Sequence, residues 1–164
     1  MLDEAEGIAD DEVYLDNMSK TFSDKAWFVR YLPDDVGLVV DFGGGTGDFL
    51  EYIRGMLAKK GAEPEFAVID NNPSFLSRAV SKGFRGYASM EEYAAEGRKP
   101  AGRSLLIMNS VIHEVYSYAE GPGEVDSFWK ALGRCGFDVV AIRDMSLNWS
   151  DYRDVPADAV AWVY

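Results

Sequence analysis

An apolar run that ends in a glycine-dense turn constrains this chain more than any other feature. The run is Leu38-Val39-Val40-Asp41-Phe42-Gly43-Gly44-Gly45-Thr46-Gly47-Asp48-Phe49-Leu50. Leu38 to Val40 have the unbroken apolar character of a strand covered on both faces, the kind found in parallel sheets. Gly43, Gly45 and Gly47 alternate, which lets the backbone turn tightly and approach a ligand with no Cβ in the way. Phe49, Leu50, Ile53, Met56 and Leu57 then recur at helical spacing. The free amides at the start of such a helix favour an electron-rich ligand.

The spacing separates the nucleotide-like ligands such a loop can serve. A phosphate loop of nucleotide hydrolases needs Lys and Ser/Thr after its last glycine, and Gly47 is followed by Asp48 and Phe49. A dinucleotide fingerprint started at Gly43 would need glycine at position 48, where this chain has an acid that repels pyrophosphate. Asp41 and Asp48 suit a ligand that carries positive charge.

The rest of the chain alternates strand and helix. Tyr14 to Leu32 predicts a helix broken near Thr21-Phe22-Ser23, with Ser23 capping a second part that buries Trp27, Phe28, Tyr31 and Leu32. Phe66 to Ile69 predicts the second strand, ending in Asp70. In Asn71-Asn72-Pro73-Ser74, Asn72 is the expected N-cap and Pro73 the first helical residue. Phe75, Leu76, Ala79 and Val80 should face the core. An acid at the tip of a second strand is placed to accept hydrogen bonds from ribose hydroxyls, and Asp70 lies at about the expected ~20 residues beyond the loop. A third strand is predicted at 84–87, followed by Ser89-Met90-Glu91-Glu92 in capping-box form. The fourth strand, Ser104 to Met108, runs into Asn109-Ser110-Val111-Ile112-His113-Glu114-Val115-Tyr116-Ser117-Tyr118. Polar groups at such a tip lie where open parallel sheets bind ligands. Gly121-Pro122-Gly123 reads as a turn. A helix with Val125, Phe128, Trp129 and Leu132 on one face follows, ended by Gly133 or Gly136. The fifth strand is predicted at 137–142, with Arg143-Asp144-Met145 at its tip and an Arg143–Asp144 ion pair shaping the site. This pattern predicts an α/β fold with helices on both faces of a parallel sheet, order 3-2-1-4-5.

Length and charge bound the function. The 164 residues are enough for one domain with a core, and 48% are hydrophobic. Residues 1–12 are acidic and predict a flexible leader, leaving 13–164 as a single domain. The net charge of −12 opposes broad contact with a nucleic acid backbone, so a small-molecule or protein substrate is expected, with Arg98, Lys99 and Arg103 read as a solvated cluster. No apolar run reaches membrane-span length, and the single cysteine, Cys135, fits a reducing compartment such as the cytoplasm. With one histidine and no recognisable ligand spacing among the carboxylates, no metal site is expected.

Four pieces carry a resemblance to a family: Met18-Ser19-Lys20-Thr21-Phe22 with Asp24-Lys25, the Val40-Asp41-Phe42-Gly43 loop, the run from Leu105 to Tyr118, and Ile142-Arg143-Asp144-Met145. The chain resembles class I (Rossmann-like) S-adenosylmethionine (SAM) methyltransferases, in particular a little-characterised bacterial and phage group. The resemblance implies SAM as cofactor, held by Asp41, Gly43, Gly45, Gly47, Asp70, Asn71, Ser89, Met90 and Asn109. Tyr14, Met18 and Lys20 are then candidates to cover it. It places His113 as a candidate general base or a loop brace, Asn109 as a holder of cofactor or nucleophile, and Tyr116 and Tyr118 as pocket or core aromatics. Complete members carry two further strands after the fifth. Only Val160 to Tyr164 reads as one here, so either truncation or a homo-oligomeric or partner chain over the sheet edge is expected. Two alternatives stay open: a non-catalytic SAM-binding module, and a nicotinamide-dependent reductase, which the failed dinucleotide spacing and the absence of Tyr-x-x-x-Lys oppose.

Overall fold

A computed structural model describes residues 21–97 and 100–144. Five parallel strands form one sheet in the order β3-β2-β1-β4-β5: β1 (Val36–Phe42), β2 (Glu65–Ile69), β3 (Arg85–Tyr87), β4 (Arg103–Asn109) and β5 (Val139–Arg143). Val40 on β1 stands between Ala67 on β2 and Leu106 on β4, so the glycine loop leaves the centre of the sheet. This all-parallel, doubly covered arrangement is a Rossmann-like α/β fold, with the sheet order 3-2-1-4-5 that the strand–helix alternation predicts. Among the described residues the sheet ends at β5; the expected strand at 160–164 lies outside them.

Side chains alternate across the strands and build two cores. On one face Val39, Val68, Leu105 and Ile107 meet α2 (Asp48–Ala58) through Phe49, Leu50, Ile53 and Leu57, and α3 (Pro73–Ser81) through Ala79. On the other, Leu38, Val40, Ala67 and Leu106 meet α4 (Met90–Glu96) through Met90 and Tyr93, and α6 (Pro122–Cys135) through Phe128 and Ala131. The short α5 (Ile112–Tyr118) has no buried residue and lies over the C-terminal end of the sheet beside the site.

Four local expectations change. The segment before β1 is a single α-turn, α1 (Phe22–Lys25), followed by a 3-10 stretch, Ala26–Tyr31. Ser23 lies inside α1 and caps nothing. The tighter 3-10 winding repeats every three residues, so Ala26 and Val29 are buried with Phe28, whereas Trp27 and Tyr31 are exposed. Val80 is exposed, because it flanks the short edge strand β3. Gly121-Pro122-Gly123 starts a helix, with Pro122 at its first position, where a missing N–H costs nothing. Gly136, in the left-handed region, caps its end. Ile112 to Tyr118, read as a polar strand tip, forms α5. No helix among the described residues is long and apolar enough to cross a membrane.

Candidate cofactor site at the strand tips

The loops after β1, β2 and β4 continue the hydrogen bonding of the sheet, and this builds the floor of the site. Gly43 N donates to Ile69 O at 2.8 Å, Asp70 N to Tyr87 O at 3.0 Å, and Ser110 N to Arg143 O at 2.7 Å. The parallel ladder therefore continues one residue past the tips of β1, β2 and β4.

Within the glycine loop the three alternating glycines, all at positive φ, serve different ends. A Cβ on Gly43 would lie 2.5 Å from the Val111 side chain, and one on Gly47 2.7 Å from the Phe84 ring. Those two are required by packing. A Cβ on Gly45 would meet only Phe75, at 3.9 Å, and would project into the open cavity. Gly45 is thus the position where the backbone can come close to a ligand.

Asp70 ties this loop to the second strand. One carboxylate oxygen accepts Gly45 N–H at 2.8 Å and the other accepts Asn72 N–H at 2.9 Å. An ionised carboxylate has about four acceptor sites, so capacity for hydroxyl donors remains. Asn72 caps α3 as expected, accepting from Ser74 N and Phe75 N.

The acids at the loop differ from expectation. Asp48 is bound by Lys82 and Thr46. Burial works against its charge, but the bonds from Lys82 and Thr46 and the nearby Arg78 outweigh it and hold the carboxyl below its usual range. Its charge is answered within the protein, and Asp41 alone of the two remains for a cationic ligand. Asp41 is 3% exposed. Burial raises its pKa to about 8, countered by Lys25 and reinforced by Asp70.

A cavity of about 760 Å³ opens over the tips, within the usual range for small ligands. Of the predicted site residues, Asp41, Gly43, Gly45, Asp70, Asn71, Ser89, Met90 and Asn109 line it. Gly47 stands behind the wall, against Phe84. Ser89 Oγ accepts Glu92 N–H at 3.1 Å as the cap of α4. Glu92 completes a near capping box by accepting from Ala88 N. The Asn109 Nδ2 group is buried with no hydrogen-bond partner, which costs stability unless a ligand satisfies it. Beside it, Ser110 holds φ +54°, a left-handed conformation costly for a residue with a Cβ. Ser110→Gly is expected to raise stability by roughly 1 kcal/mol in a denaturant titration; an unchanged midpoint would show that no strain is stored there.

His113 is not on the cavity wall. Asp144 grips it twice, through Nδ1 at 2.7 Å and the backbone N–H at 3.1 Å. Asp144 thus ties the end of β5 to the loop after β4, 31 residues away in sequence. Tyr118 reaches the wall, but Tyr116 is exposed and accepts from Trp129 Nε1 at 3.1 Å. The aromatic lining comes mainly from Phe22, Phe42, Phe49, Phe75 and Phe128. Sequence reasoning missed Lys25, which lines the cavity from α1 while 5% exposed. A lysine set among Phe22, Ala26, Phe28 and Val29 was the available signal. Tyr14, Met18, Lys20, Arg98, Lys99 and Met145 lie outside the described residues. Among the described residues no group of acids, histidines or cysteines is placed to hold a metal.

No family model matches the chain. A curated relative, the non-reducing polyketide synthase tazA of Aspergillus terreus (strain NIH 2624 / FGSC A1156), is 27% identical over 131 residues, covering 75% of this chain and 5% of the synthase. The chain thus spans a small fraction of that protein. Among solved structures, a SAM-dependent methyltransferase from Aquifex aeolicus is 16% identical with a TM-score of 0.46, over 79% of this chain and 72% of that one. WbdD is 20% identical at 0.44, over 76% and 26%. The plantazolicin methyltransferase BamL, in complex with a triazolic desmethylPZN analog and SAH, is 14% identical at 0.39, over 73% and 55%.

Proposed function

We propose that the cavity binds SAM and that the chain transfers its methyl group to a small-molecule acceptor. The observation that carries the reading is Asp70, which fixes the glycine loop at Gly45 while it faces a cavity over the parallel strand tips. One side chain thereby preorganises the turn and presents acceptors for ribose hydroxyls. The orphaned amide of Asn109, the open side of Gly45 and the apolar Met90 and Phe75 fit a ligand with polar ends and a flat base. SAM, when bound, supplies an activated methyl on sulfonium, and the residues of the chain then supply position and a water-poor wall.

The described cavity wall carries Asp41, Asp48, Asp70, Glu91, Glu114 and Glu124 against Lys25. That balance disfavours anionic acceptors and supports a neutral or basic one. His113, off the cavity wall and held by Asp144 through both Nδ1 and the backbone N–H, reads as a brace of the loop after β4.

Calorimetric titration tests the cofactor. SAM and S-adenosylhomocysteine (SAH) are expected to bind and NAD is not. Asp70→Ala should weaken SAH by ~1–3 kcal/mol, the range for a lost charged hydrogen bond. Binding of NAD in preference to SAH would overturn the assignment. Binding without turnover across an acceptor panel would favour a non-catalytic module.

A further inference from the structure

The two halves of the cavity are closed to different degrees. On the β2 and β3 side, where the preceding reading puts the adenosine, the wall includes the exposed Asn71 and the half-buried Gly45, Asp70 and Ser89. Past the tip of β4 the wall includes Val111 and Phe128, each 8% exposed. That half is roofed by α5, which adds Glu114, Val115 and Tyr118 to the wall. Yet α5 buries no residue of its own; Ile112 and Val115 pack only in part against the core beneath. A helix of seven residues owes its stability to packing rather than to propensity, so an element packed this lightly opens at low cost. Two polar contacts tie it down. At its start Asp144 meets His113 Nδ1 at 2.7 Å and accepts the His113 backbone N–H at 3.1 Å. The Asp144 side chain is 10% exposed, and exclusion of water strengthens such bonds. Further along, Trp129 Nε1 donates to the Tyr116 hydroxyl at 3.1 Å. The flanks leave room to turn. Ser110 holds φ +54° while α5 is down, and a Cβ on Gly121 would meet nothing within 4 Å.

We propose that α5 is a hinged gate over the acceptor half of the cavity, and that Asp144, acting through His113, is the positioning residue that latches it. The inference rests on the SAM reading, which decides which half takes the acceptor. Opening at Ser110 relieves its left-handed conformation and uncovers Val111 and Phe128. The glycine loop, held by Asp70 at Gly45, stays in place. The acceptor thus enters beside a cofactor already bound, and closure returns Val115 and Tyr118 to the wall and excludes water from that half.

Hydrogen exchange reads the gate without an acceptor. In the wild type the amides of α5 should exchange at least about 10-fold faster than those of β1 and β4, which open only with the whole fold. Asp144→Asn keeps the shape but removes the charge and one acceptor oxygen. It should speed α5 about 10-fold, as losing a hydrogen bond to a charged group does, and leave β1 and β4 within about twofold. Trp129→Phe, at the second contact, should shift α5 in the same direction, so the test does not hang on one variant. Access is the readout that a mere brace would not move. Val111→Cys, in a Cys135→Ser background, should react slowly with a bulky maleimide and about 10-fold faster once Asp144→Asn is added. SAH affinity should stay within about twofold throughout. Exchange in α5 as slow as in the strands, equal acceleration of α5 and strands, or labelling unmoved by Asp144→Asn would overturn the gate. So would a loss of SAH affinity that matches the gain in exchange, since α5 would then be a wall of the cofactor half. If the wild type binds no SAH, the cofactor reading falls, and exchange and labelling still decide whether Asp144 latches α5.

Discussion

Asp41→Asn should flatten the pH dependence of stability between pH 5 and 8. The side chain is buried at the tip of the central strand and its pKa is raised from 3.8 to about 8. Between those values the folded protein holds a proton that the unfolded chain has released. Folding therefore takes up that proton, and stability falls as pH rises, by about 1.4 kcal/mol per unit for a single group. The contribution is complete below the unfolded value and exhausted above about pH 8. Asparagine keeps the shape and cannot ionise. In urea titrations the wild type should lose ~3 kcal/mol more than Asp41→Asn between pH 5 and 7.5. Parallel curves would show that Asp41 ionises freely where it stands. The same proton bears on binding, because an ammonium placed against Asp41 favours its ionised form. SAM binding near neutral pH should therefore release protons, seen as heats that depend on buffer ionisation enthalpy.

Gly47→Ala is expected to be among the most damaging single-methyl additions near the site. Gly47 sits at φ +76°, and the new Cβ would lie 2.7 and 2.9 Å from two atoms of the Phe84 ring. The ring has nowhere to retreat: Phe84 is 3% exposed, packs on Phe66 with centroids 6.0 Å apart, and lies under the Arg54 guanidinium. Left-handed strain of ~1–2 kcal/mol and overpacking of ~1–3 kcal/mol together predict a loss of ~2–5 kcal/mol, a fall in Tm of about 4–20 °C. Gly61 supplies the control. Its φ is +78°, but nothing lies within 4 Å of its added Cβ, so Gly61→Ala should show the backbone cost alone. Equal losses at both sites would mean that Phe84 yields.

Local pattern made much of the fold legible. The apolar runs of β1, β2 and β4 are dense enough to stand out, because strands buried on both faces have no polar alternation to obscure them. Asn72-Pro73 and Ser89 mark helix starts by side-chain chemistry that acts within three residues. The stretch around residues 22–31 was misread because helical periodicity assumes 3.6 residues per turn, and the chain winds this segment more tightly as it packs on α2.

The site divides along the same line. The place of Asp70 at a strand tip beside the glycine loop was legible because it follows from strand order. Its hold on Gly45 N–H, 25 residues away, was not, since only tertiary structure brings the two tips together. The same holds for Lys82 answering Asp48 and for Asp144 gripping His113. Sequence alone determined the alternation of strand and helix, the sheet order and the loop that turns at its centre, because these rest on short-range sterics, apolar spacing and right-handed crossovers. Tertiary structure alone decided which charges are answered, which acid is buried enough to hold its proton, and that Lys25 faces the cavity. Those outcomes depend on solvent exclusion and on partners distant in sequence, which no local spacing encodes.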